Sequence, residues 1–330
     1  MSDKISSLKA SAAPAPRRGG WRRLRWLLAI GLILALGAGK YIDFYLLHPM
    51  GTGPAGPAVV KAPFASKWTD RKVLLLGFGD SVAAGYGVKS ANKALLPRIE
   101  RNPSDEFADM QGLSLSSVIP NLTSLNAALS GSTSLEHMTI LDSKIPVQPE
   151  EVFGVVVLTT GGNDIIHHYG RTDPHEGAMY GATLSQSQPW IDNFEKRLSE
   201  MLDRISSKFP GGCEIFIANI YDPTDGDGDA ENAGLPAWPG GLAVHGGYNQ
   251  VIAKVVAKKP NCHLVDMHGL FLGHGIHCRK FWHRHYCAAD PYYWYYDNLE
   301  DPNERGFDAL RRAFLNEMAK VLPAKLKSVP

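Results

Sequence analysis

Five short apolar runs punctuate the chain after about residue 70: VLLLGFG at 73–79, SLNAALS at 124–130, VFGVVVLTT at 152–160, CEIFIANIY at 213–221 and CHLVDM at 262–267. Stretches such as VVVL show no polar alternation, which is how a strand buried on both faces reads. Helix-length segments at 190–209 and 248–258 separate the later runs, and a last one at 303–322 repeats Phe307, Leu310, Phe314 and Met318 at helical spacing. Strands alternating with helices predict a doubly wound α/β domain on a parallel sheet. In such sheets ligands bind beyond the carboxyl ends of the strands, so the residues just past each strand are the ones to inspect.

The pattern upstream is different. Residues 26–38 form an unbroken apolar run, and residues 1–25 before it carry a local charge of +6. Basic residues on one flank of an apolar segment hold that flank in the cytoplasm, so the remainder is expected outside it, in a periplasmic or extracellular space. Extended to residue 47, the segment has 22 residues, enough for a bilayer that needs about 20. The shorter core, with small residues at Ala35, Gly37 and Gly39, also suits a cleaved signal and hence a secreted protein. The expected organisation is a basic tail at 1–25, an anchor or signal segment at 26–47, a Pro/Gly-rich linker at 48–69 and a folded domain at 70–325. Outside the tail the net charge is −5 with no basic stripe, which excludes nucleic acid as a partner and leaves the membrane as one only through the N-terminal segment.

Cysteine usage agrees with export. Cys213 and Cys262 each begin a strand-like run and Cys278 and Cys287 flank a short loop, so two disulfides are expected. No CxxC spacing exists, and no residue is assigned to a metal. Asp225, Asp227 and Asp229 alternate in a way that suits calcium, but the closing glutamate of an EF-hand loop is missing, and a solvated acidic loop is the expectation. The run YYWYY at 292–296 reads either as the packing of a long loop or as an aromatic rim for sugar or lipid.

The chemistry sits at the strand ends. GDSVAAGYG after the first strand puts Ser81 at a strand-to-helix turn, and Ala83 excludes the GxSxG elbow of α/β-hydrolases. Gly131 comes after the second strand, where a glycine lets its backbone N–H approach a substrate oxygen. Asn163, in GGND after the third, offers a side-chain amide to the same oxygen. A nucleophile, a backbone donor and an amide donor are what a tetrahedral acyl intermediate requires.

With these blocks the sequence resembles the SGNH, or GDSL-type, hydrolase family over about residues 72–322. The resemblance implies a flavodoxin-like three-layer sandwich with a five-stranded parallel sheet and no required cofactor. It also implies hydrolysis of acyl esters, glycan O-acyl or lipid, through Ser81, with the Ser81 N–H, the Gly131 N–H and the Asn163 amide as oxyanion hole. The family's last block, DxxHPN, supplies the histidine base and an aspartate that orients it. Here that block reads NLEDPNERG, with Asp301 at the histidine position and Asn298 at the aspartate position. A serine hydroxyl is a poor nucleophile without a base in reach. There are three resolutions. A histidine can be recruited from the loop after the fifth strand, His274 first and His277 next, or His167 from beyond Asn163. Asp301 itself can accept the proton, its pKa raised by Asp297 or Glu300. Alternatively the site binds without cleaving, as a ligand-binding module tethered to the membrane.

Overall fold

The computed structural model describes residues 19–327, without the side chains of residues 19–20 and 43–45. The chain divides into two compact units, Met1–Leu47 and His48–Pro330. The described part of the first is helix α1 (Gly19–Tyr41) and then a π-helical turn, Ile42–Leu47. Its apolar side chains, Leu27, Ile33 and Leu36 among them, are exposed. Residues Trp21–Tyr41 are long and apolar enough to cross a bilayer. The basic residues before position 19 lie outside the described residues.

The second unit runs β1 (Lys72–Gly79), α2 (Ser81–Ala84), α3 (Leu95–Glu100), α4 (Leu115–Val118), β2 (Leu122–Asn126), α5 (Ser134–Lys144) and β3 (Val152–Thr159). It continues through α6 (Gly162–Ile166), α7 (Leu184–Ser207), β4 (Cys213–Ala218), α8 (Gly241–Val256), β5 (Cys262–Val265), α9 (Met267–Phe271) and α10 (Glu304–Lys327). The strands form one five-stranded sheet in the order β2-β1-β3-β4-β5, and every pairing is parallel. Alternate strand residues feed two separate cores. Val73, Leu75, Val155, Val157 and Phe216 pack with α3 and α10, whereas Leu74, Leu76, Val156, Leu158 and Ile215 pack with α5, α7 and α8. Both faces are therefore covered, which is why the central strands are continuously apolar. The result is the expected three-layer α/β sandwich.

Element limits differ from the sequence-based expectation for local reasons. β2 ends at Asn126, whose amide donates to Ala83 O at 3.0 Å while its oxygen accepts the Ala128 N–H, and the Ala127 and Leu129 N–H groups still bond to β1 at Gly77 O and Gly79 O. Helix α7 starts at Leu184 through a Thr183/Gln186 capping box. Helix α8 starts at Gly241, and its Gly247 packs closely on α7, where a Cβ would meet the end of the Ile191 side chain at 2.9 Å.

Two expectations fail. Residues 48–69 are not a free linker: Ala55, Val59, Phe64 and Trp68 are buried in the α10-side core, and the Ala55 N–H donates to Asp308 at 3.0 Å. The Pro/Gly composition of the segment hides four well-spaced apolar anchors. The disulfides are also absent, all four cysteines being free thiols. The sheet register sets Cys262 opposite Ile215 rather than Cys213. Cys278 is fully buried in the core, whereas Cys287 is half-exposed on the loop.

Candidate active site

The turn that carries Ser81 is dictated by steric limits. Gly79 has φ 124°, and a Cβ on it would stand 1.8 Å from Thr159 O on the neighbouring strand, so only glycine fits. Asp80 caps α2: its Oδ1 accepts the Val82 N–H at 3.1 Å and the Thr159 hydroxyl at 2.6 Å. Ser81 is thus the first residue of α2, where the backbone N–H lies outside the helix's own hydrogen-bond ladder. Burial of Asp80 raises its pKa from 3.8 to about 6, against the lowering effect of those two bonds, and the Asp301 and Asp164 carboxylates add to the rise.

Three strand-end loops are tied together around this turn. The Leu129 N–H donates to Gly79 O at 2.9 Å, and the Ser132 hydroxyl is within hydrogen-bonding distance of the same oxygen at 3.3 Å. Ser132 O in turn accepts the Asn163 amide at 2.9 Å. Beneath them the buried His137 pairs through its two ring nitrogens with Ser132 and Thr160, each at 2.8 Å, and burial lowers its pKa to about 4, so it is neutral. Asp164, one residue beyond Asn163, is buried and accepts the Ser134 N–H at 2.7 Å, which joins α6 to the start of α5.

The altered last block closes the site. Gly87 (φ 98°) allows this approach, since a Cβ there would lie 2.6 Å from Pro302 O. Asp301 is buried, and the Ser81 hydroxyl lies near enough to its carboxylate to act on its pKa. The Asp301 Oδ1 has no aligned hydrogen bond, so the contact is close without being well directed, as catalytic hydrogen bonds often are before substrate arrives. The Asn298 amide donates to Oδ2 at 2.7 Å, and the Asn298 oxygen accepts the Asp301 N–H at 3.2 Å. Burial raises the Asp301 pKa, partly offset by the nearby Ser81 hydroxyl and the Asn298 hydrogen bond. Asn303 anchors the block from behind, donating to Tyr293 O and Tyr295 O and accepting the Gly306 N–H.

Ser81 and Asn163 open on a cavity of about 150 Å³ whose walls extend to Ile165, Ile220, Trp238, Leu242 and Met267. Glu300, next to Asp301, also lines it and accepts the Tyr169 hydroxyl. Gly131, at φ 79°, is exposed on its loop and is not part of the cavity wall. The candidate bases divide sharply. His274 is buried away from the cavity, its ring stacked on Trp294 at 3.4 Å and its Nδ1 paired with Tyr292 O at 3.1 Å, and burial lowers its pKa. His277 faces Asp229 at 3.0 Å instead of Ser81. His167 stacks on His168 just past the end of α6. None of these imidazoles is hydrogen-bonded to Ser81. The aromatic run is likewise mostly core: Tyr293, Trp294 and Tyr295 are buried, and Tyr296 is exposed beside Tyr86.

Several cavity residues carry no sequence motif of the kind that marks Ser81. Thr159 and Thr160 stand at the end of β3, where the strand-end rule alone points to them. Tyr169 and His245 come from stretches with no such signal, and His245 holds Ile220 O at 2.8 Å from within α8.

No curated protein matches the chain. Among solved structures, the chain is similar to an extracellular lipase from Streptomyces rimosus, with 15% identity over 76% of this chain and 99% of that one and a TM-score of 0.45. A phospholipase A1 from Streptomyces albidoflavus shows 16% identity over 76% and 99% of the two chains at a TM-score of 0.43. A member of the lipolytic protein G-D-S-L family from Veillonella parvula shows 16% identity over 74% and 96% at 0.45. The model of the GDSL-like lipase/acylhydrolase family matches residues 78–307, from the end of β1 into α10. The stretch that it spans contains the Ser81 turn, the Asn163 loop and the altered Asn298–Asp301 block, and the chain therefore belongs to the GDSL-like lipase/acylhydrolase family.

Proposed function

We propose that this protein is a membrane-anchored serine esterase in which Ser81 is the nucleophile and Asp301 takes the place of the family's histidine base. The observation that carries this reading is the nearness of the Ser81 hydroxyl to the buried Asp301 carboxylate, one oxygen of which has no hydrogen-bond partner. A buried carboxylate with a raised pKa is a stronger base than a solvated one. Ser81 Oγ bonds to the ester carbonyl carbon while its proton passes to Asp301. The carbonyl oxygen becomes an oxyanion next to the Ser81 N–H and the Asn163 amide, whose second N–H is left over after the bond to Ser132 O. Collapse expels the alcohol, which takes the proton from Asp301, and water then repeats the sequence on the acyl-enzyme. Asn298 holds the carboxylate through Oδ2 and leaves Oδ1 for the serine.

The cavity favours small acyl groups. At about 150 Å³ with largely apolar walls, it matches the size of an apolar cavity that accepts a benzene ring. Export rests on the basic flank before the apolar helix. The test uses the full chain in detergent, a fluorophosphonate probe and p-nitrophenyl esters of increasing chain length. The expected result is labelling that vanishes in Ser81→Ala, with acetate and butyrate esters cleaved faster than decanoate. Absence of both labelling and hydrolysis from pH 4 to 9 would overturn the enzymatic reading in favour of a ligand-binding protein.

A further inference from the structure

Away from Ser81, the loop after β4 meets the loop after α9, and their carboxylates divide into two sets. Asp222 is consumed within its own loop, accepting the Thr224 N–H, the Thr224 hydroxyl and the Gly226 N–H. Asp225 is buried and bolts the two loops together by accepting the N–H groups of Gly273, Gly275 and His277 at 2.8, 2.8 and 2.9 Å. This leaves Asp227 and Asp229 turned toward His277, the Asp229 Oδ2 also accepting the Asn232 amide, with donor atoms of all three within 4.8 Å of one another. The His277 Nε2 is 3.0 Å from Asp229 Oδ2 and 3.8 Å from Asp227 Oδ2, and the His283 Nε2 is 3.1 Å from Asp227 Oδ2. The His283 side chain is more than nine-tenths buried, and its Nε2 lies close to this carboxylate without an aligned hydrogen-bond partner.

We propose that Asp227, Asp229 and His277, with His283 as fourth donor, bind one divalent transition-metal cation, zinc by preference. Tetrahedral zinc with bonds of about 2.0–2.2 Å places neighbouring donors about 3.4 Å apart, within the spread of separations found here. Two imidazoles and two carboxylates are a zinc-type donor set, and two carboxylates balance the charge of the ion. Calcium takes oxygen ligands, and the alternating triad Asp225, Asp227, Asp229 is not a calcium cage because Asp225 faces the backbone amides. Binding through the His283 Nε2 requires the 3.2 Å contact between the His285 N–H and the His283 Nδ1 to give way. Thr224, Gly228 and Ala230 of the same loop line the Ser81 cavity, so the ion would stiffen one of its walls.

The experiment is titration of the untagged full chain, stripped with EDTA, with Zn²⁺, Co²⁺ and Ca²⁺ by calorimetry and visible absorption. One equivalent of Zn²⁺, a tetrahedral Co²⁺ spectrum and no heat from Ca²⁺ are expected. Asp227→Asn, at an exposed side chain that folding tolerates, and His283→Gln should each weaken Zn²⁺ binding at least tenfold, with unchanged circular dichroism. Substoichiometric Zn²⁺ binding, or unchanged affinity in the Asp227→Asn/His283→Gln double variant, overturns the site. Because the readout is binding, it is independent of whether Ser81 is catalytic.

Discussion

Replacing Asp80 with Asn removes a carboxyl group that burial holds at a pKa of about 6 rather than 3.8. Because the folded-state pKa is raised, the native protein binds this proton more tightly than the unfolded chain does. The stability that Asp80 contributes is therefore full below about pH 3.8 and is lost as pH rises through about 6. The gap corresponds to about 3 kcal/mol carried as a cost at neutral pH. Both protein donors to Asp80, the Val82 N–H and the Thr159 hydroxyl, land on Oδ1. An amide oxygen can keep both bonds, while the new NH₂ replaces Oδ2 at the cavity wall. Asp80→Asn is thus expected to be more stable than the parent at pH 7.5 by up to about 3 kcal/mol, with the advantage fading to nothing by about pH 4. Urea unfolding of both proteins at half-unit pH intervals measures this. A stability difference that stays constant from pH 4 to 7.5 would refute the reasoning, since any effect of packing alone is independent of pH.

Asp301→Asn should lower kcat about 10²–10⁴-fold, the usual range for a lost general base. In the parent, kcat/KM should rise with pH through a pKa above the ordinary aspartate value and then level off, because the base must be ionised; a flat acid limb contradicts the assignment. His274→Ala removes the stack on Trp294 and should cost about 1–3 kcal/mol of stability while leaving kcat/KM of the folded protein intact. A tenfold loss of activity there would return the base to His274. Finally, dithiothreitol should leave the melting temperature unchanged, because the cysteines are free; a drop of roughly 5–15 °C is what losing a disulfide would produce.

Much of the architecture is legible in the chain. Continuous apolar runs such as VVVL identify strands covered on both faces because a parallel sheet leaves no face for water. Ser81 and Asn163 stand out because each lies just past the end of a strand, a position that depends only on topology. The choice of base is not legible. Imidazole chemistry points to His274, yet its neighbour in space is Trp294, twenty positions along the chain. The segment at 48–69 passes for a linker for a related reason: sparse anchors such as Phe64 and Trp68 have no periodicity until α10 offers a surface for them.

What the sequence determined by itself is therefore whatever rests on local pattern: strand and helix order, the Gly79–Asp80–Ser81 turn and the apolar N-terminal helix. Tertiary structure alone decided which side chains meet across long separations, as Ser81 does with Asp301 and Asp227 with His283. Periodicity records the environment of each residue one at a time. Which atoms meet across a site depends on loop paths set by contacts such as Gly87 against Pro302 and Asp225 against the Gly273–His277 amides, and such pairs leave no periodic signal.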